Sequence, residues 1–125
     1  MIESWVVDGS SGVPVSSEAA IEVLRERIEG GCLETWLASS SGRSLAFVTN
    51  AKRAMVILLD REDDPGKHAV EPGALGSSAG FILSNGQHDE YPNEDTVPIG
   101  EAFRIVDHII SRGSWPPDVQ WVTDR

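Results

Sequence analysis

The segment LETWLASSSGRSLAFVTNAKRAMVILL, residues 33–59, decides the fold. Leu33, Thr35 and Leu37 alternate with Glu34, Trp36 and Ala38, the period-two pattern of a strand with one buried face. Ser39-Ser40-Ser41-Gly42 is turn chemistry, and residues 45–49 resume an extended pattern. After Asn50-Ala51-Lys52-Arg53 comes Ala54-Met55-Val56-Ile57-Leu58-Leu59, an almost wholly apolar stretch that reads as a central strand. The connections between these strands are too short for parallel crossovers, so the sheet is expected to be an antiparallel meander.

On the N-terminal side, residues 5–7 form a short apolar strand that runs into the turn-rich Asp8-Gly9-Ser10-Ser11-Gly12. Ser16 or Ser17 then caps a helix whose apolar face is Ala20, Ile21, Leu24 and Ile28, and Gly30-Gly31 ends it. On the C-terminal side, residues 61–78 carry prolines, glycines and acids without a period and read as one long surface loop. Phe81-Ile82-Leu83 is a strand with the turn signal Asn85-Gly86 behind it. Residues 88–95 are polar and acidic. A second helix over residues 100–112 places Ala102, Phe103, Val106, Ile109 and Ile110 on one face and stops at Gly113. Trp115-Pro116-Pro117 leads to a last strand at Val119 and Trp121, with Trp121 and Phe103 expected to be buried. The sum is a single α+β domain over residues 1–125, a mostly antiparallel sheet of about five or six strands with two packed helices.

The net charge of −10 is the unusual quantity. It disfavours nucleic acid and anionic lipid as partners, because binding phosphate needs a positive field. A hydrophobic fraction of 40% with 24% charged residues excludes wholesale disorder. Cys32 is the single cysteine, so no internal disulfide is possible, which fits a reducing, cytoplasmic setting. With Glu34 close by it lacks the positive surroundings of a reactive thiol and is expected as a half-buried strand residue. The opening MIESWVVD has no basic start followed by an apolar run, so no signal peptide is expected, and no segment has the apolar length of a membrane span.

Gly76-Ser77-Ser78-Ala79-Gly80 matches the nucleophile elbow G-x-S-x-G by letter. That mechanism needs a strand entering and a helix leaving, and here a Pro/Gly loop enters and a strand leaves. Ser78 is therefore expected to be idle. His68, His88 and His108 lack the spacing that places two imidazoles on one ion. Phosphate-cradling glycine motifs and aromatics interleaved with basic residues are missing as well. No catalytic residue, metal site or cofactor is expected.

What remains is acidity in two clusters. Asp60, Glu62, Asp63 and Asp64 open the long loop, and Asp89, Glu90, Tyr91, Glu94 and Asp95 fill the later one. Such runs are either solvated faces or, in loops beside strands and with a tyrosine among them, surfaces that meet a basic partner.

The closing third carries a resemblance. Asp89-Glu90-Tyr91-Pro92, Val97-Pro98, Glu101-Ala102-Phe103, Arg112-Gly113-Ser114-Trp115-Pro116-Pro117 and Val119-Gln120-Trp121 together resemble the signature of the first-numbered immunity-protein family of bacterial polymorphic toxin systems. The resemblance covers about residues 79–125 and rests on structural residues. It implies a cytoplasmic antidote that binds a toxin domain, commonly a nucleic-acid deaminase or nuclease, by presenting acid to its basic cleft. The alternatives are an accessory protein of the same fold in regulation or biosynthesis, and a small enzyme using the carboxylates of residues 89–95.

Overall fold

The computed structural model describes residues 3–8 and 12–124, so Gly9, Ser10 and Ser11 of the expected first turn lie outside the described residues. Strand β3 (Ser44–Thr49) is buried on both faces. Leu45 and Phe47 point to one side, Ala46 and Val48 to the other, and all four are buried. β2 (Glu34–Ser39) and β4 (Arg53–Leu59) flank it antiparallel, with Phe47 opposite Thr35 on one side and Val56 on the other. β4 alternates as its sequence demands: Ala54, Val56 and Leu58 are buried, and the residues between them are half-buried.

Two helices cover the face that carries Leu45, Phe47 and Val56. In α1 (Ser17–Glu29), Ser16 is the cap: its hydroxyl oxygen accepts from the Ala19 N–H at 3.1 Å, meeting a donor the first turn leaves unpaired. Ala20 and Leu24 are its buried residues. In α2 (Ile99–Arg112), Ala102, Ile105, Val106 and Ile109 are buried. Gly113 ends it at φ +81°, a left-handed conformation cheap only for glycine, and its N–H donates to Ile109 O at 2.8 Å.

Beyond β4 the chain departs from the sequence reading. Residues 61–78 are not one loop: β5 (Lys67–Val70) sits among them and pairs with β4. Residues 88–95 are not loop either. β7 (His88–Pro92) pairs with β6 (Ser77–Ile82), and Asn93–Asp95 form a 3-10 turn. A two-residue strand, β8 (Val97–Pro98), pairs with the start of β4. The last strand, β9 (Gln120–Thr123), pairs with β5, and β1 (Trp5–Val7) pairs with β2. The result is a single small α+β domain with a seven-stranded antiparallel sheet of path order β1-β2-β3-β4-β5-β9, β8 lying beside β4, and a separate β6–β7 hairpin.

That hairpin forms a third layer. It lies against β3 on the face opposite the helices, where Phe81 is fully buried. Asn50 Nδ2 donates to Ala79 O at 2.9 Å and holds the layer in place. Two expectations fail here. Trp121 is 41% exposed, because β9 is an edge strand whose tryptophan ring meets Trp115, stacked at 6.2 Å, and Lys67 Nζ at 5.1 Å. Phe103 is half-buried and stacks on Phe47 at 5.6 Å, away from the terminal strand. Cys32 is exposed and precedes β2; the turn after the left-handed Gly31 places it outside the ladder.

Candidate partner-binding surface

The first acidic cluster spans the connection from β4 to β5. Asp64 folds this connection: its carboxylate accepts from the Asp60 N–H at 2.8 Å and the Gly66 N–H at 3.1 Å. Those two backbone donors hold its pKa below the usual aspartate value. Asp60 receives Lys67 Nζ at 2.7 Å, and Asp63 lies 3.1 Å from Arg61 Nε. Glu62 is exposed at the tip. Two cations and a structural role therefore absorb most of this cluster's charge.

The second cluster is built differently. In β7, Asp89 accepts from Tyr91 Oη at 2.6 Å and from Gln87 Nε2 at 2.7 Å, and these bonds lower its pKa. The Tyr91 ring packs edge-on against Phe81 at 4.9 Å. Burial first, and then the Asp89 carboxylate, push its phenol up to about 12. Glu90 accepts from the Ser77 hydroxyl and is exposed, as is Glu94 in the 3-10 turn. From His68 through Phe103 the chain carries Glu71, Asp89, Glu90, Glu94, Asp95 and Glu101 and not one lysine or arginine. Arg53 reaches in from β4, donating to Glu71, to Thr96 Oγ1 at 2.7 Å and to Asn93 O at 3.2 Å, so the 3-10 turn is fixed to the sheet.

The two clusters do not merge. Residues 60–64 follow the last residue of β4, and the 3-10 turn is tied to its first. On β5, Asp60 meets Lys67 and Asp95 meets the next residue, His68, and successive side chains of a strand point to opposite faces.

Sequence reasoning missed two participants, His68 and Glu34. His68 lies between two carboxylates, with Nδ1 2.6 Å from Asp124 and Nε2 3.1 Å from Asp95, and its side chain is only 12% exposed. Asp95 is thus joined to the end of β9 through a histidine that was expected on the surface. Glu34, on β2, accepts from the Ser84 N–H at 2.8 Å and from Trp36 Nε1 at 2.7 Å, which holds its pKa below normal. The period-two placement of Glu34 and Trp36 on one strand face was the available signal. For His68, whose partners lie 27 and 56 residues away, the sequence offered none.

Chemistry is sparse elsewhere. Ser78 lies inside β6, its hydroxyl donating to Asn93 Oδ1 at 2.5 Å, and no helix follows the strand. His108 Nδ1 is 2.7 Å from Ser114 O. Among the described residues no three histidine, cysteine or acidic side chains converge to hold a metal ion. Asp95 and Asp124 lie against different ring nitrogens of His68, which point apart. Among the described residues no helix is long and apolar enough to cross a membrane. No protein-family model matches the chain, and no curated protein matches it in sequence.

Proposed function

We propose that this chain is a toxin-neutralising immunity protein that works in the cytoplasm by binding, without catalysis or cofactor, a basic bacterial toxin domain. One observation carries the reading: residues 68–103 hold Glu71, Asp89, Glu90, Glu94, Asp95 and Glu101 and no lysine or arginine, and arginines from outside the segment, Arg53 and Arg104, meet Glu71 and Glu101. A toxin that acts on nucleic acid must present a positive cleft to its substrate. An acidic protein seated there competes with phosphate for the same field, and complementary charge also speeds the encounter. The backbone ties of the second cluster support the reading, since Arg53 donates to Asn93 O and Thr96 O and Asn93 donates to Leu75 O, an arrangement formed without a partner. Ser78, bonded to an asparagine inside a strand, favours a binding role over hydrolysis.

The test uses the product of the gene beside this chain's, which the reading expects to carry the toxic domain. Cells expressing that domain should survive when the wild-type chain is co-expressed. Survival should fall with Glu90→Lys/Glu94→Lys and persist with Glu22→Lys/Glu26→Lys on α1, which changes the net charge equally. Loss of protection by the α1 variant alone would remove the second cluster from the contact. If the adjacent product neither kills nor binds, the accessory reading replaces this one.

A further inference from the structure

The outer edges of the seven-stranded sheet are finished differently. At β1, Val15 closes the edge: its N–H donates to Trp5 O at 2.9 Å. At β9 the path ends, with no further strand among the described residues, and all four strand residues are exposed. Asp124 N–H donates to Gly66 O at 2.7 Å, in register with the β5–β9 pairs. By the alternation of an antiparallel ladder, the backbone groups of Val122 and Gln120 also turn toward β5, and those of Trp121 and Thr123 turn outward. Open edges are ordinarily guarded by lysine, proline, a bulge or an inward charge. Gln120, Trp121, Val122 and Thr123 supply none of these.

Beside that edge, on the face opposite the helices, lies a cavity of about 310 Å³. Val70, Pro72 and Val122 give it apolar walls, Gln120 borders it, and Glu94 and Asp95 bring carboxylates, Asp95 with one oxygen already 3.1 Å from His68 Nε2. Val122 is 45% exposed. On the helix face the nearest charge is positive, Lys67 Nζ 5.1 Å from the Trp121 ring, but Asp60 already pairs with it. The Lys67 charge on the helix face is thus already paired, and the face with Glu94 and Asp95 holds the cavity.

We infer that the open β9 edge is the docking site for an extended segment of a basic partner protein, which adds a strand to the sheet and places an arginine or lysine side chain in the Val122–Glu94 cavity. The partner's backbone meets the outward N–H and C=O groups of Trp121 and Thr123. Its cationic side chain lays its stem on Val70 and Val122 and its charge between Glu94 and Asp95. A second copy of this chain fits less well, since its net charge of −10 repels its twin. The inference rests on the proposed function for the partner's basic character, and on the sheet edge alone for its place.

The probe is a blocked hexapeptide alternating valine and arginine, followed by amide NMR of the full chain, with a valine–glutamate peptide as comparison. The arginine peptide should bind saturably and shift the Trp121 and Thr123 amides, while the glutamate peptide leaves them unmoved. Thr123→Pro deletes one outward donor without touching the ladder to β5, and should weaken binding about tenfold, the effect of one hydrogen bond. Val122→Lys, at an exposed position that leaves the backbone intact, should do the same by repelling the cation and serves if the proline variant fails to fold. Shifts confined to other elements, equal binding of the glutamate peptide, or a homodimer with β9 amides protected in the absence of peptide would each overturn the inference. Toxin binding unaffected by both variants also overturns it and leaves the immunity reading standing. Peptide binding at β9 in a chain that no adjacent toxin recognises supports the edge and removes the immunity reading.

Discussion

Glu3 shows what a single carboxylate contributes here. It accepts from Arg43 Nε at 2.9 Å and also from Arg43 Nη2 and the Ser41 hydroxyl, joining the start of the chain to the β2–β3 turn. The Arg43 bonds dominate in lowering its pKa to about 2. A carboxylate depressed by folding stabilises above its unfolded value of about 4.5 and loses that contribution as pH falls toward 2. Glu3→Gln should cost about 1–2 kcal/mol at pH 7, allowing for partial exposure. In urea titrations the difference from wild type should shrink through the window between those two values; a gap that persists at pH 2 would refute the assignment. Tyr91, the single tyrosine, permits a direct optical test. Its phenol should ionise near 12, and in Asp89→Asn the midpoint should drop yet stay above 10, because burial is the larger cause. A midpoint at 10 in the wild type would place the ring in solvent. The acids were legible as residues, but their partners were not. Ser77 lies 13 positions from Glu90 and Ser84 lies 50 from Glu34, distances over which no local pattern speaks.

Elements with a strong period were readable, and those that owe their form to a neighbour were not. α1, α2 and the β2–β4 meander follow from apolar spacing and caps. β5 has four residues with only Ala69 buried, and it is a strand because β4 and β9 offer it ladders on both sides. β7, His88–Pro92, carries two acids and a proline, and only its pairing with β6 makes it extended. The pattern at Val119 and Trp121 marks β9 but places its tryptophan in the interior, because composition does not tell an edge strand from a central one. The consequence is measurable. Trp5 is 1% exposed and Trp121 41%. Trp5→Ala should cost about 3–5 kcal/mol, as large core truncations do. Trp121→Ala should cost about 1–2 kcal/mol, in proportion to the area it covers. Equal losses in chemical denaturation would mean that β9 is buried in solution.

At the scale of the whole molecule, composition states the sign of the field and the fold distributes it. The net charge of −10 was readable at once. Its unequal placement required the structure: Lys67 and Arg61 temper the β4–β5 connection, and Arg53 beside the hairpin is drawn inward to Glu71 and Thr96. Exposed charge acts over about 10 Å at 0.1 M salt, so a partner senses this asymmetry before contact. The most direct test of the acidic surface is therefore the association rate constant with the proposed basic partner, the product of the neighbouring gene, measured against ionic strength. It should fall at least about tenfold between roughly 0.05 and 0.5 M salt, as steered encounters do. Glu90→Lys/Glu94→Lys should flatten that dependence, while Glu62→Lys/Asp63→Lys at the tempered loop flattens it less. A rate indifferent to salt, or a hairpin-side variant as steep as wild type, would contradict the claim that this acidic surface recognises a basic partner.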